Sequence, residues 1–322
     1  MKTPKRIIDL LTERSNYLTL AENNLDKALF KYQEKLLNDY FKIIIPMLEV
    51  DASGNLVDSL KNSRLLQTTE KLYQGFLKDN KYKFGEDISG VFDKTASLND
   101  KYFLSTISQT SQTFFGPLAA ITKAKINARM GLSGGSIVGG SFLDRLFAND
   151  DLIMSLKKFM ASAVTGRMKQ KDFLSGVNKL ITGAGEGEGA YQRQFKRYAH
   201  DLFMQYDSAY NSSIATALKM KYFIYQGGLI VDSRDFCVSN NGKVFSKEDT
   251  AEWFNWTPAQ GEYPEGYKIK QKDINAVPSY LSFAGYTPLI DRGGYNCRHI
   301  LGWISDELAQ KLTKQTQKTE SS

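Results

Sequence analysis

The chain has 322 residues, a formal net charge of +7, an ordinary 42% of hydrophobic residues and only two cysteines. That length suits two domains, or one domain with a long helical extension. Two cysteines exclude a disulfide-built secreted fold, and the start MKTPKRIIDLLTERSN lacks the apolar run of a signal peptide. No stretch approaches the ~20 apolar residues needed to cross a bilayer, so the expectation is a soluble chain made in a cytoplasm, with no membrane partner. From Lys221 onward the charges balance, which places the positive excess in the first two thirds. Such an excess suits a protein near a polyanion and suits a merely soluble one equally.

Lys5 to about Val50 reads as one long helix, with Leu25, Leu29, Tyr32, Leu36 and Tyr40 on one face and Pro46 bending or ending it. A stripe of this kind is core or a partner-helix contact. DASGN, 51–55, is a turn, and it does not meet the ligand spacing of a calcium loop. Residues 56–80 read as helix, 81–100 as a mixed stretch with breaks at Gly85 and Gly90, and 101–113 as a helix stopped by Gly116-Pro117.

The basic cluster Lys123, Lys125 and Arg129 then precedes a glycine-rich segment, Gly131 to Gly140. The order of a phosphate-cradling loop is missing, so the segment reads as a connector or a close-packed run of small residues. The cluster could touch nucleic acid through phosphates without reading its sequence. Two helices joined at Thr165-Gly166 follow, and then a glycine–glutamate hinge, Gly183 to Gly189. Tyr191 to about Met220 is the strongest helix, striped by Tyr191, Phe195, Tyr198, Leu202, Tyr206 and Tyr210 and carrying His200 as a structural histidine.

From Lys221 the pattern changes. YFIYQGGLIVD reads as strand–turn–strand, Asn240-Asn241-Gly242 as a tight turn, KVF as a short strand, and Ser246 with Asp249 as the cap of a short helix through Trp253. Residues 257–290 form a long irregular loop, and ILGWIS is a final strand. After Asp306 a short helix gives way to a mobile polar tail. The fold class is therefore α+β: a long, mainly helical N-terminal region followed by a small β-rich C-terminal domain. By composition it divides into a helical region over 1–130, a helical domain with glycine-rich linkers over 131–220, a small α+β domain over 221–306 and a tail over 307–322.

Both cysteines and one of the two histidines fall in two segments of that last domain, DSRDFCVSNNGKVF (232–245) and GGYNCRH (293–299). Three readings compete. Cys237, Cys297 and His299 could supply three zinc ligands, with Asp232, Asp235 or a water as the fourth. Cys237 and Cys297 could instead pair or pack together as a structural clasp. A catalytic reading takes a cysteine as nucleophile and His299 as base, and no third orienting residue stands out for it.

The run from Tyr198, in the helix that starts at Tyr191, through Asp232-x-Arg234-x-x-Cys237, the Asn241-Gly242 turn and the late Asn296-Cys297-Arg298-His299 resembles the C-terminal part of phage minor head proteins, the Mu F-like head-morphogenesis family. The likeness covers roughly 150–305. Many members of that family end in C-R-C where this chain has His299, an exchange that keeps a metal ligand and removes any disulfide there. The resemblance implies a non-enzymatic virion component inside the phage head, bound to the portal or major capsid protein. Such a component aids head assembly and stays with the packaged DNA or leaves with it. Asp232, Arg234, Gly242, Asn296 and Arg298 are then motif residues of structure, and no cofactor is implied beyond zinc. The rival from another class is a metal-dependent nuclease or toxin-like enzyme carried in the virion, for which two histidines so far apart in sequence are a poor start.

Overall fold

The computed structural model of the protein describes residues 4–183, 187–295 and 297–320. Helices fill the chain up to residue 217, and a small three-stranded antiparallel sheet follows, giving an α+β fold. The chain forms two compact units. One gathers Met1–Ala21, Val91–Asn127 and His200–Ser322, and the other Glu22–Gly90 and Ala128–Ala199.

The second unit takes its helices from α1 (Pro4–Ile44), α2 (Leu60–Thr106), α4 (Phe142–Ala148), α5 (Asp150–Thr165) and α6 (Gln170–Thr182). The stripe Leu25, Leu29, Tyr32, Leu36 and Tyr40 is buried throughout, as its spacing predicts. Pro46 ends α1 in a single 3₁₀ turn, Ile45–Met47. Asp51 organises the following turn by accepting the N–H groups of Ser53 and Asn55. Gly166 and Gly183 cap α5 and α6, the latter in the left-handed conformation that favours glycine.

Three expected breaks are absent. α2 runs unbroken through Gly85 and Gly90. Gly85 is there because a Cβ would stand 3.0 Å from the Gly135 carbonyl oxygen, so its smallness serves a close approach within this unit. α3 (Gln109–Met130) likewise continues through Gly116-Pro117. Proline removes one N–H and frees the carbonyl four residues back, but Thr113, Gly116 and Pro117 are exposed, so water can serve the freed group. The glycine-rich segment forms a hairpin of β1 (Leu132–Ser133) and β2 (Ser136–Ile137), with Gly134 and Gly135 at positive φ in its turn.

The first unit holds the sheet. β3 (Tyr222–Gly227) lies between β4 (Val244–Ser246) and β5 (His299–Ile304), antiparallel to both. The LIVD half of YFIYQGGLIVD is not a strand: β3 takes its partners from later in the chain, and Leu229, Ile230 and Val231 stay exposed. α7 (Ala190–Ala217) buries Leu202, Tyr206 and Tyr210 here, Tyr206 stacking on Phe92 at 3.9 Å. The side chains of Tyr191, Phe195 and His200 lie outside the described set. α10 (Asp306–Glu320) extends farther than the expected short helix and mobile tail.

β5 is clamped by a buried polar knot. Arg14 of α1, 0% exposed, pairs with Asp207 of α7 at 3.2 Å and donates to Asn99 of α2 at 2.8 Å and to the Leu301 carbonyl at 2.9 Å. Asn211 also donates to that carbonyl, and the Tyr102 hydroxyl donates to the Trp303 carbonyl. Gly302 lets the strand lie close, since a Cβ there would meet Leu11 at 2.5 Å. These contacts fix the strand on which His299 sits.

Candidate metal centre

Alternation along β3 puts Phe223 and Tyr225 on one face, both set edge-on to the buried Trp253. Register pairs Gly227 with His299 and Tyr225 with Leu301, so Tyr225 and His299 are diagonal neighbours on that face. Their rings stack at 4.6 Å. Gly227 makes this possible: a Cβ there would lie 2.8 Å from the imidazole Cγ.

Cys237 rides on α8 (Asp235–Asn240), a helix of one and a half turns with Arg234 at its N-cap. The Asn241-Gly242 turn that follows is clipped to β3. Gly242 has φ 82° and donates its N–H to the Tyr225 carbonyl, while Asn241 accepts from Gly227 N–H. Cys297 arrives from the other side, just before β5, in a turn where its N–H reaches the Gly294 carbonyl at 3.1 Å.

The two thiols are buried and 3.8 Å apart, adjacent without being joined by a disulfide. Cys297 Sγ lies 3.9 Å from His299 Nδ1, and one ligand atom from each of the three residues falls within a 4.8 Å span. The Tyr225 hydroxyl touches both sulfurs at 3.4 Å. Gly293 closes the cluster: a Cβ at that position would be 2.5 Å from Cys237 Sγ and 3.2 Å from Cys297 Sγ. Arg234 holds this glycine by donating to its carbonyl at 2.6 Å, with its guanidinium over the Tyr280 ring.

The thiols are electrostatically unequal. Burial opposes ionisation of Cys297, yet its hydrogen-bonding contacts with Cys237 and His299 hold it below the ordinary thiol range. Its hydrogen bond to Cys297, and then burial, push Cys237 up. A metal cation bound between them would favour the thiolate form of both.

The donor set fits a zinc-type ion. Two thiolates each about 2.3 Å from a tetrahedral zinc stand about 3.8 Å apart, which matches the observed separation. His299 is 1% exposed and its Nε2 has no hydrogen-bond partner, so the ring has a nitrogen to spare. Of the expected fourth ligands, Asp235 is committed elsewhere. It accepts from the Tyr267 hydroxyl and from the N–H groups of Lys270 and Gln271, tying down the irregular loop. Asp232 and Arg298 are exposed and line a cleft of about 210 Å³ that reaches Cys237, Cys297 and His299. Asn296 lies outside the described residues.

Sequence reasoning missed Tyr225 and the close approaches that Gly227 and Gly293 permit; it read Gly293 only as part of the tight backbone that delivers Cys297. The Gly227-Gly228 pair reads as a turn, whereas Gly227 makes room for an imidazole, and nothing local marks Tyr225 as the residue facing both thiols. The basic cluster stays on α3: Lys123 pairs with Asp93 at 2.9 Å, and Lys125 and Arg129 are exposed. No helix among the described residues is long and apolar enough to cross a membrane. No known protein family, curated protein or solved structure matches this chain.

Proposed function

We propose that the chain is a structural minor head protein of a tailed phage. In this reading it is associated with the portal or the inner capsid, acts in head assembly, and uses zinc at Cys237, Cys297 and His299 as a clasp. One observation carries the reading. Residues of the two motif segments, far apart in sequence (Asp232, Arg234 and Cys237 in one, Cys297, Arg298 and His299 in the other), fall around a single buried cluster. The buried cluster and its commitment to holding a loop favour a structural role over a catalytic one. Its place would be inside the phage head, with packaged DNA as a further neighbour.

Co-expression with the portal and major capsid proteins of the same phage tests this. The chain should co-sediment with portal rings and appear in purified heads at a few copies. Heads that assemble normally without it, together with no association with either protein, would sink the reading.

A further inference from the structure

Three protein ligands leave a tetrahedral ion one position short. On the inner side the cluster is closed by the Tyr225 hydroxyl and the Gly293 backbone. On the outer side it meets the cleft of about 210 Å³, lined by Arg234, Arg298 and Asp232 along with the three candidate ligands. The His299 ring forms part of this lining while its buried Nε2 has no partner.

The walls of the cleft specify an occupant. Guanidinium groups pair with carboxylates in a planar fork, and zinc accepts a carboxylate oxygen at about 2.0–2.2 Å. The volume suits a carboxylate with a few carbons. The lip is apolar: Leu229, Ile230 and Val231 are 44%, 48% and 91% exposed, and Ile230 also lines the cleft. A free metabolite has no use for such a lip, whereas a protein segment presenting an acidic side chain would cover it.

We propose that the cleft admits an aspartate or glutamate side chain of a partner protein to the fourth position of the metal, so that the clasp keeps one open coordination position that serves as a docking site. This rests on the metal reading above. Arg298 steers and holds the incoming carboxylate, and Leu229–Val231 pack against its neighbours.

The test uses the full chain loaded with cobalt(II) under reducing conditions. A thiolate-to-cobalt charge-transfer band, lost in Cys297→Ser, establishes the metal. Its absence from the unmodified chain would remove the metal reading itself, separately from the open position. With the band present, titration with blocked aspartate (N-acetyl-aspartyl amide) should shift the visible ligand-field bands saturably. Arg298→Gln should weaken that titration about tenfold, as loss of one charge-assisted hydrogen bond requires. Acetate should bind more weakly than blocked aspartate, and equal or tighter binding of acetate would overturn the assignment to a partner chain. Ligand-field bands unmoved by either carboxylate would overturn the open position. A change on Asp232→Asn alone would then name Asp232 as the closing ligand.

Discussion

Replacing Asp207 by alanine should disable the polar knot that fixes β5. Arg14 would keep its bonds to Asn99 and to the Leu301 carbonyl but would lose its counter-charge in a fully buried setting. Burial already lowers the pKa of Arg14, and Asp207 opposes that shift, so the substitution leaves desolvation unanswered. Breaking one side of a buried pair costs about 3–5 kcal/mol, against total stabilities of about 5–15 kcal/mol. Urea denaturation followed by tryptophan fluorescence reads the loss, since Trp253 and Trp303 both lie in this unit. Leu301 is two residues from His299, so Cys297 should also become faster to react with a thiol reagent under native conditions. The double variant Arg14→Met/Asp207→Leu removes both charges together and should recover most of the loss. A single variant that loses less than about 1 kcal/mol, or a double variant no better than the single, would refute the reasoning.

The remaining expectations concern the site and the charges near it. Chelation of the zinc-loaded protein should release two titratable thiols and lower the melting temperature, whereas metal-free protein with both thiols already reactive would count against the clasp. Gly293→Ala places a methyl group 2.5 Å from Cys237 Sγ. It should weaken zinc in a chelator competition by about tenfold or more, since overpacking costs about 1–3 kcal/mol, and unchanged affinity would show that the wall is soft. Asp100 is half-buried and accepts from the Tyr210 hydroxyl at 2.7 Å, and burial raises its pKa above 3.8. The folded state therefore binds that proton more tightly than the unfolded state. The resulting penalty is absent below the unfolded value and complete above the folded one, so Asp100→Asn should gain stability relative to the parent as pH rises from 3 to 7. A gain that is flat across that range would contradict the assignment. Converting Lys123, Lys125 and Arg129 to glutamate should reduce salt-dependent DNA association if the helical part lies near packaged DNA, and an unchanged salt slope would remove DNA from that surface.

Much of the helical part is legible in the sequence because a single stripe decides it. Leu25 to Tyr40 recur at helical spacing, and burying them fixes the helix. The misread places share one cause. Gly85, Gly116, Pro117 and Gly227 punctuate the chain locally, but their role is set by what approaches them in space: the Gly135 carbonyl, open water and the His299 ring. Propensity sees the missing Cβ or N–H and predicts a break, whereas at Gly85 and Gly227 packing uses the missing Cβ to bring two segments together, and at Gly116-Pro117 exposure to water lets the helix continue. The cysteine and histidine segments stood out because such residues are scarce here. That they meet, and that Tyr225 sits over both sulfurs, depends on the pairing of β3 with β5, which no local signal encodes.

The placement of the cluster also says what a clasp would do. Cys237 and Cys297 are 60 positions apart, and much of the chain between them is irregular: after α8, the described residues there form β4, three 3₁₀ segments and the single-turn α9 (Pro288–Asp291). The backbone hydrogen bonds of such a segment are mostly local turns, and its closure entropy must be offset elsewhere. Cross-linking a loop of that length removes about 4 kcal/mol of chain entropy from the unfolded state. Asp235 anchors the middle of the segment, Arg234 anchors Gly293 near its end, and a metal would join the two ends beside the edge of β5. The strand is in turn fixed by Arg14 and Asn211 from the helices. Order in the irregular segment thus runs from the helical core through β5 to the cluster, which is why ligands so sparse in the sequence are concentrated where regular structure is thinnest.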